Sequence, residues 1–237
     1  MGSTPYFYRW SSSALPWLFL ISFLVLVWGL VWGIGYSPSD YKQGDVYRII
    51  YIHVPSAILS QSIFIFMAVC GFINLIWRAK IAGMLIKSAC NIGATFAFLV
   101  LITGSIWGKP TWGTWWVWDA RLTSTLILFF IYLAIIGLHS SIDNKVKADR
   151  AVSILSIVGV GIIPIIKKSV DWWQTLHQPS TFKLTESPSM SPEMYLPLLV
   201  CVLGFYFMFF SILILQLKAE VLIREREKNW VRNLFNT

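Results

Sequence analysis

The sequence has too little charge to cover a water-facing surface. Only 13% of its 237 residues are Asp, Glu, Lys or Arg, against 57% hydrophobic residues and a mean hydropathy of +0.67, a balance that points to an integral membrane protein. Cysteine is scarce too. Cys70, Cys90 and Cys201 all fall in apolar runs and none forms a C-x-x-C pair, which excludes a thiol oxidoreductase and a c-type cytochrome with its own C-x-x-C-H attachment motif. No Walker motif, no G-x-S-x-G and no carboxylate pair within an apolar run occurs, so ATP hydrolysis, serine hydrolysis and proton pumping lack visible machinery. There is no internal repeat and no sign of a second domain. The net charge of +8 does not argue for nucleic acid, because the basic residues form short clusters between apolar runs, as in a membrane topology signal.

Six apolar segments are present, at 15–35, 54–77, 81–107, 122–142, 151–171 and 195–217, each near the ~20 residues that a bilayer core requires. The expected fold is an all-α bundle of six transmembrane helices in a single membrane domain, 1–237. The first segment is too long and too rich in Trp and Gly for a signal-peptide core and reads as a retained span. Tyr6 breaks the N-myristoylation pattern. Six spans put both termini on one face and the loops 36–53, 108–121 and 172–194 on the other. The terminal face carries 11 Lys and Arg and the opposite face 7, which predicts cytoplasmic termini, a cytoplasmic tail 218–237 read as a helix continued into water, and outward loops. Pro55 suits the first turn of the second helix, with His53 at its outer mouth. Lys87 is expected to snorkel to the headgroups, Asn91 and Thr95 to bond within the bundle, and Pro164 to kink the fifth span, whose helix should continue past Lys167 and Lys168.

The least probable stretch is Trp112 to Thr123, with four Trp in seven residues followed at once by Asp119 and Arg121. Trp112, Trp115 and Trp116 fall at i, i+3 and i+4, so a short helix here would put three indoles on one face, with Trp118 and Asp119 on its flank. An aromatic belt at the membrane interface is the plain reading. An anchor, however, has no need of consecutive Trp beside an Asp and an Arg, and a flat hydrophobic ligand would use such a plate. The topology places nine of the 13 Trp at the outer face: Trp28, Trp32, Trp107, Trp112, Trp115, Trp116, Trp118, Trp172 and Trp173.

Only three His occur. His53 and His177 share the outer face with the Trp stretch, whereas His139 ends the fourth span on the other side. A single His near a helix end is ordinarily a surface or capping residue; two on one face beside a Trp plate suit axial ligation of haem iron. Bonds of about 2.0 Å would bring their nitrogens roughly 4 Å apart across the metal. The porphyrin is a flat plate that indoles cover, and its propionates call for Arg48, Arg121, Lys109, Lys167, Lys168 or Lys183, all otherwise readable as interfacial charge. Zinc fits worse, since two His without Cys or clustered carboxylates do not complete a tetrahedral set.

With six spans, the stretch Trp112 to Thr123, His53 in Tyr-Ile-His-Val-Pro-Ser and His177 in Trp-Trp-Gln-Thr-Leu-His-Gln-Pro, the sequence resembles the haem exporter protein C family (CcmC) of bacterial cytochrome c maturation, haem-handling proteins with a "WWD" signature. The resemblance covers nearly the whole chain. It implies an inner-membrane protein that holds haem b at the periplasmic face between His53 and His177. Trp112, Trp115, Trp116, Trp118, Asp119 and Arg121 would form the rest of the site. It further implies presentation of haem to a periplasmic chaperone, CcmE, and partnership with a small single-span subunit, CcmD, and an ABC transporter of CcmA and CcmB. The implied role is binding and delivery rather than catalysis, with at most assistance to covalent haem attachment on the chaperone. An electron-transfer cytochrome b would bury its His ligands in mid-span, and no span has a His there. A transporter moving haem through the bundle would be built on half-helices or repeats, and neither is legible.

Overall fold

A computed structural model describes residues 4–173, 175–177 and 189–235. Among the described residues eight α-helices run in chain order: α1 Thr4–Leu30, α2 Ile50–Trp77, α3 Lys80–Trp112, α4 Ala120–Ser141, α5 Lys145–Gly159, α6 Ile162–Trp172, α7 Pro192–Arg224 and α8 Asn229–Phe235. A π-helical turn, Val31–Tyr36, extends α1, and a 3-10 turn, Asp45–Ile49, leads into α2. Six helical stretches are long and apolar enough to cross a membrane, with α5 and α6 together making the fifth.

The fifth span breaks at Val160–Gly161. The Pro164 ring would collide with the carbonyl four residues earlier, so the chain turns there. The Gly161 amide donates to Val158 O at 3.4 Å and the Ile163 amide to Val160 O at 3.0 Å. The helix then runs past Lys167 and Lys168 to Trp172. Pro55 is not in the first turn of α2; helix begins at Ile50 and is continuous with the 3-10 turn, so the proline sits inside it.

Small residues set the packing of α1, which lies chiefly along α7. Ser22 Oγ and Ser211 Oγ are 3.0 Å apart in the buried seam. A Cβ on Gly204 would meet Leu26 N at 3.0 Å, and one on Gly29 would meet Cys201 N at 3.0 Å. Close backbone approach of this kind is how helices associate where lipid removes the hydrophobic drive. Gly204→Val is therefore expected to lower stability by about 1–3 kcal/mol through overpacking, read as a lower melting temperature in detergent, with Leu203→Val on the exposed side of α7 as the neutral control.

At the end of the bundle where the termini meet, five ionisable side chains converge. Arg224 donates to Asp149 Oδ2 at 2.6 Å, to Asp149 Oδ1 at 2.9 Å and to Glu220 Oε1 at 2.5 Å. Lys87 bonds Glu220, and His139 Nε2 lies 3.4 Å from Asp149 Oδ1. Lys87 thus ties α3 to α7 through an ion pair instead of reaching for headgroups. The tail is not a helix continued into water either. The charged run Glu225–Lys228 makes a turn, and α8 folds back so that Trp230 packs on Tyr8 at 5.8 Å and Val231 is buried. Glu225 Oε2 accepts from Thr4 Oγ1 and Trp230 Nε1, each at 2.8 Å. Asn91 and Thr95, four apart on one helical face, look outward from α3; the opposite face, with Phe96 and Ala97, is the one that packs inward.

Candidate functional site

The Trp stretch does not form a helix of its own. Helix α3 continues through Trp112 and is stopped by Gly113, which takes a left-handed φ of 78° and donates its amide to Lys109 O at 3.1 Å. Six residues later Asp119 caps α4, its Oδ1 accepting from the Leu122 amide at 2.7 Å. Stop and start signals so close together leave only an irregular bridge, 113–119, and the three indoles share no face. Trp112 belongs to the end of α3. Trp116 is half-buried, edge-on to Trp118 at 5.5 Å and 77°, and its indole N–H has no partner among the described residues. Trp115 and Trp118 stand out, 57% and 77% exposed.

His53, the fourth residue of α2, is buried. Its Nδ1 lies 2.9 Å from Thr103 Oγ1 on α3. The one hydroxyl hydrogen of Thr103 goes back to Leu99 O at 2.7 Å, so His53 Nδ1–H is the donor and the neutral ring carries its lone pair on Nε2. Gly104 lets the ring in: a Cβ there would be 3.2 Å from His53 Cε1. Trp107 meets the same ring edge-on at 5.6 Å and 78°, and is held in turn by Gln43 Oε1 at 2.7 Å.

His177 faces His53. The ring centroids are 6.4 Å apart at 34°, although 124 positions separate the two in the chain. The loop carrying His177 is fixed from the Trp bridge. Asp119 spends its second oxygen on the Thr175 hydroxyl, whose oxygen accepts the His177 amide at 3.1 Å. Arg121, in the first turn of α4, points its NH1 at His177 Nδ1 at 3.2 Å and its Nε at Ser169 Oγ at 3.2 Å. Trp112 packs against His177 at 6.1 Å and 57°.

The structure therefore brings His53, His177, Trp112, Asp119 and Arg121 together, whereas Trp116 packs on Trp118 and Trp115 and Trp118 are exposed. Of the other basic residues considered, Arg48 is committed to Ile34 O at 2.8 Å and Ser37 O at 3.0 Å. Lys109 reaches Gly113 O at 3.1 Å and Lys168 reaches Asp171 at 3.0 Å. Lys167 is exposed, its carbonyl accepting from Arg121 NH2 at 3.5 Å, and Lys183 lies outside the described residues. Sequence reasoning missed Thr103, Gly104 and Thr175. Thr103 and Trp107 are four apart on α3, and that spacing beside an apolar-run glycine was the available signal.

Among the described residues no three His, Cys, Asp or Glu side chains converge as a metal site, so the site offers two imidazoles, indole faces and one guanidinium. Comparison with known proteins shows the family. A family model described as Heme exporter protein C matches residues 1–232. Heme exporter protein C of Escherichia coli (strain K12) is 45% identical over 230 residues, covering 97% of this chain and 93% of that protein. The Haemophilus influenzae protein of the same name is 41% identical over 230 residues, with 97% and 94% covered. That of Rhodobacter capsulatus is 36% identical over 220 residues, with 92% and 90% covered.

Proposed function

Since the chain belongs to the haem exporter protein C family, we propose that it is a haem-handling membrane protein of c-type cytochrome biogenesis whose cargo is held between His53 and His177. The pairing of those two rings carries the reading. Two imidazoles that hold one iron, each by a bond of about 2.0 Å, need their rings to face each other across a gap, and these two rings face each other with centroids 6.4 Å apart. His53 presents a lone pair on Nε2 because Thr103 holds its Nδ1–H, the outer-sphere bond that fixes a ligating imidazole. Trp107 and Trp112 offer indole surface beside the rings.

The site faces the periplasm in this reading, with both termini in the cytoplasm and the chain in the bacterial inner membrane. A cargo to be handed on needs an accessible edge, and the exposed Trp115 and Trp118 suit a docking surface for a periplasmic acceptor. The acceptor is the haem chaperone CcmE, and CcmD, CcmA and CcmB complete the assembly. Binding and delivery are the protein's work, and it is not an enzyme in its own right.

Haem titrated into the purified chain should give a six-coordinate, bis-imidazole spectrum. His53→Ala and His177→Ala should each convert it to five-coordinate or haem-free, and His139→Ala should leave it unchanged. An unaltered bis-imidazole spectrum in the His53→Ala/His177→Ala double variant overturns the ligand assignment. For delivery, Trp115→Ala/Trp118→Ala should keep the spectrum yet slow loading of purified CcmE by 10-fold or more, on the order of one hot-spot contact. Equal loading would leave these two indoles as a membrane belt.

A further inference from the structure

His53 and His177 are not equivalent. Thr103 leaves His53 ready to donate through Nε2, but His177 is engaged the other way round. Its Nδ1 faces Arg121 NH1 at 3.2 Å, and a guanidinium can only donate. The lone pair of His177 therefore sits on Nδ1, and a neutral ring carries its hydrogen on Nε2, the wrong tautomer for Nε2 to bind a metal. Ligation through Nε2 would move that hydrogen to Nδ1, where it would point at another N–H. Ligation through Nδ1 would need the position that Arg121 occupies. By either nitrogen, Arg121 has to leave first.

The bonds that keep Arg121 in place are weak enough to exchange. They end on neutral acceptors, namely His177 Nδ1, Ser169 Oγ at 3.2 Å and Lys167 O at 3.5 Å. Of the two nearby carboxylates, Asp119 is spent on the α4 cap and on Thr175, and Asp171 pairs with Lys168 at 3.0 Å. A carboxylate that arrived within reach would be a better partner, because it carries the opposite charge and can take two parallel N–H bonds from the guanidinium, whereas the present acceptors are uncharged and each takes one.

We propose that Arg121 is a latch on His177, released by a carboxylate of the incoming porphyrin, so that the second axial bond forms only for a cargo that carries acidic side groups. This rests on the reading that His53 and His177 are the axial pair. The latch makes ligation sequential: His53 would engage first, a propionate would draw Arg121 off, the His177 hydrogen would move from Nε2 to Nδ1, and Nε2 would then carry the lone pair. A ligand with the same iron and ring but esterified propionates would stop after the first step.

The test uses the purified full chain and two probes, ferric haem and its dimethyl ester. Wild-type protein should give a six-coordinate low-spin spectrum with haem and, with the ester, a five-coordinate spectrum like that of His177→Ala. Arg121→Ala should give six-coordinate spectra with both probes, a gain of ligation that loss of a mere propionate partner would not produce. Nitrogen-15 NMR of the ligand-free wild-type chain labelled at His, with the His177 signal assigned by its loss in His177→Ala, should show that ring protonated on Nε2 alone, and the signal should change in Arg121→Ala. A six-coordinate ester complex in wild type, or a His177 protonated on Nδ1 in the ligand-free chain, overturns the latch and leaves the axial pair standing. If wild type with haem matches His177→Ala with haem, the axial pair itself fails and the latch with it. The two wild-type arms decide the matter even if Arg121→Ala does not fold.

Discussion

Replacing Arg224 with Ala is expected to cost about 3–5 kcal/mol, the usual effect of removing one partner from a buried ion pair. At roughly 2–4 °C per kcal/mol for a chain of this size, the melting temperature in detergent should fall by about 6–20 °C. The size of the effect follows from burial and from the number of orphaned groups. Asp149 and Glu220 are 4% exposed each, and Arg224 supplies two bonds to the first and one to the second. Their loss leaves two carboxylates in a low-dielectric seam, with only Lys87 and the edge of His139 nearby. Lys87→Ala should cost less, because that side chain is 36% exposed and half-exposed pairs contribute little. An Asp149→Leu/Glu220→Leu/Arg224→Met variant should recover most of the stability lost in Arg224→Ala, since apolar replacement of a buried ion triad is often neutral or better and the Lys87 left behind is 36% exposed. A single variant that melts like wild type would show that water reaches the cluster.

Asp119→Ala should abolish six-coordinate haem binding almost as fully as His177→Ala, although Asp119 touches no ring. Two anchors go at once. The α4 cap contributes about 1 kcal/mol, and the charge-assisted bond to Thr175 roughly 1.5–3 kcal/mol. Without Thr175 fixed, the His177 amide loses its acceptor and the ring is no longer held facing His53. Thr175→Val isolates the second anchor and should show a weaker form of the same defect with α4 intact. Asp119→Asn keeps an oxygen for the cap and should fall between the two. If Asp119→Ala binds haem with an unchanged spectrum, the loop is held by something other than this relay.

Much of the architecture was legible because a bilayer leaves few options. An apolar segment as long as 54–77 or 195–217 has no alternative to a spanning helix. Helix ends were harder, because polar residues join a helix when the bundle gives them cover. Ser11 and Ser12 bond back to Tyr8 O at 3.1 and 2.7 Å, Ser11 is buried, and α1 therefore begins at Thr4, far ahead of its apolar run. The Trp stretch misled for a different reason. Its i, i+3, i+4 spacing is real, but Gly113 and Asp119 are stronger signals than periodicity, and they divide the stretch between two helices. His53 and His177 could be put on one face from topology alone. Their unlike surroundings could not, because Thr103 and Arg121 reach them only through the packing of α2 on α3 and of α4 on α6.

The seam between α1 and α7 has a consequence for how the chain is made. The helix synthesised first rests chiefly on the one synthesised last of the six spans, with 189 positions between Ser22 and Ser211. While α2 to α6 are emerging, α1 has no partner for its small-residue face and must stand alone in lipid. It is long and apolar enough to do so unaided, and Trp17, Phe23 and Trp28 look outward in the finished bundle. The seam can close only once α7 has been made, and just beyond the end of that helix Glu225 Oε2 accepts from Thr4 Oγ1 at 2.8 Å.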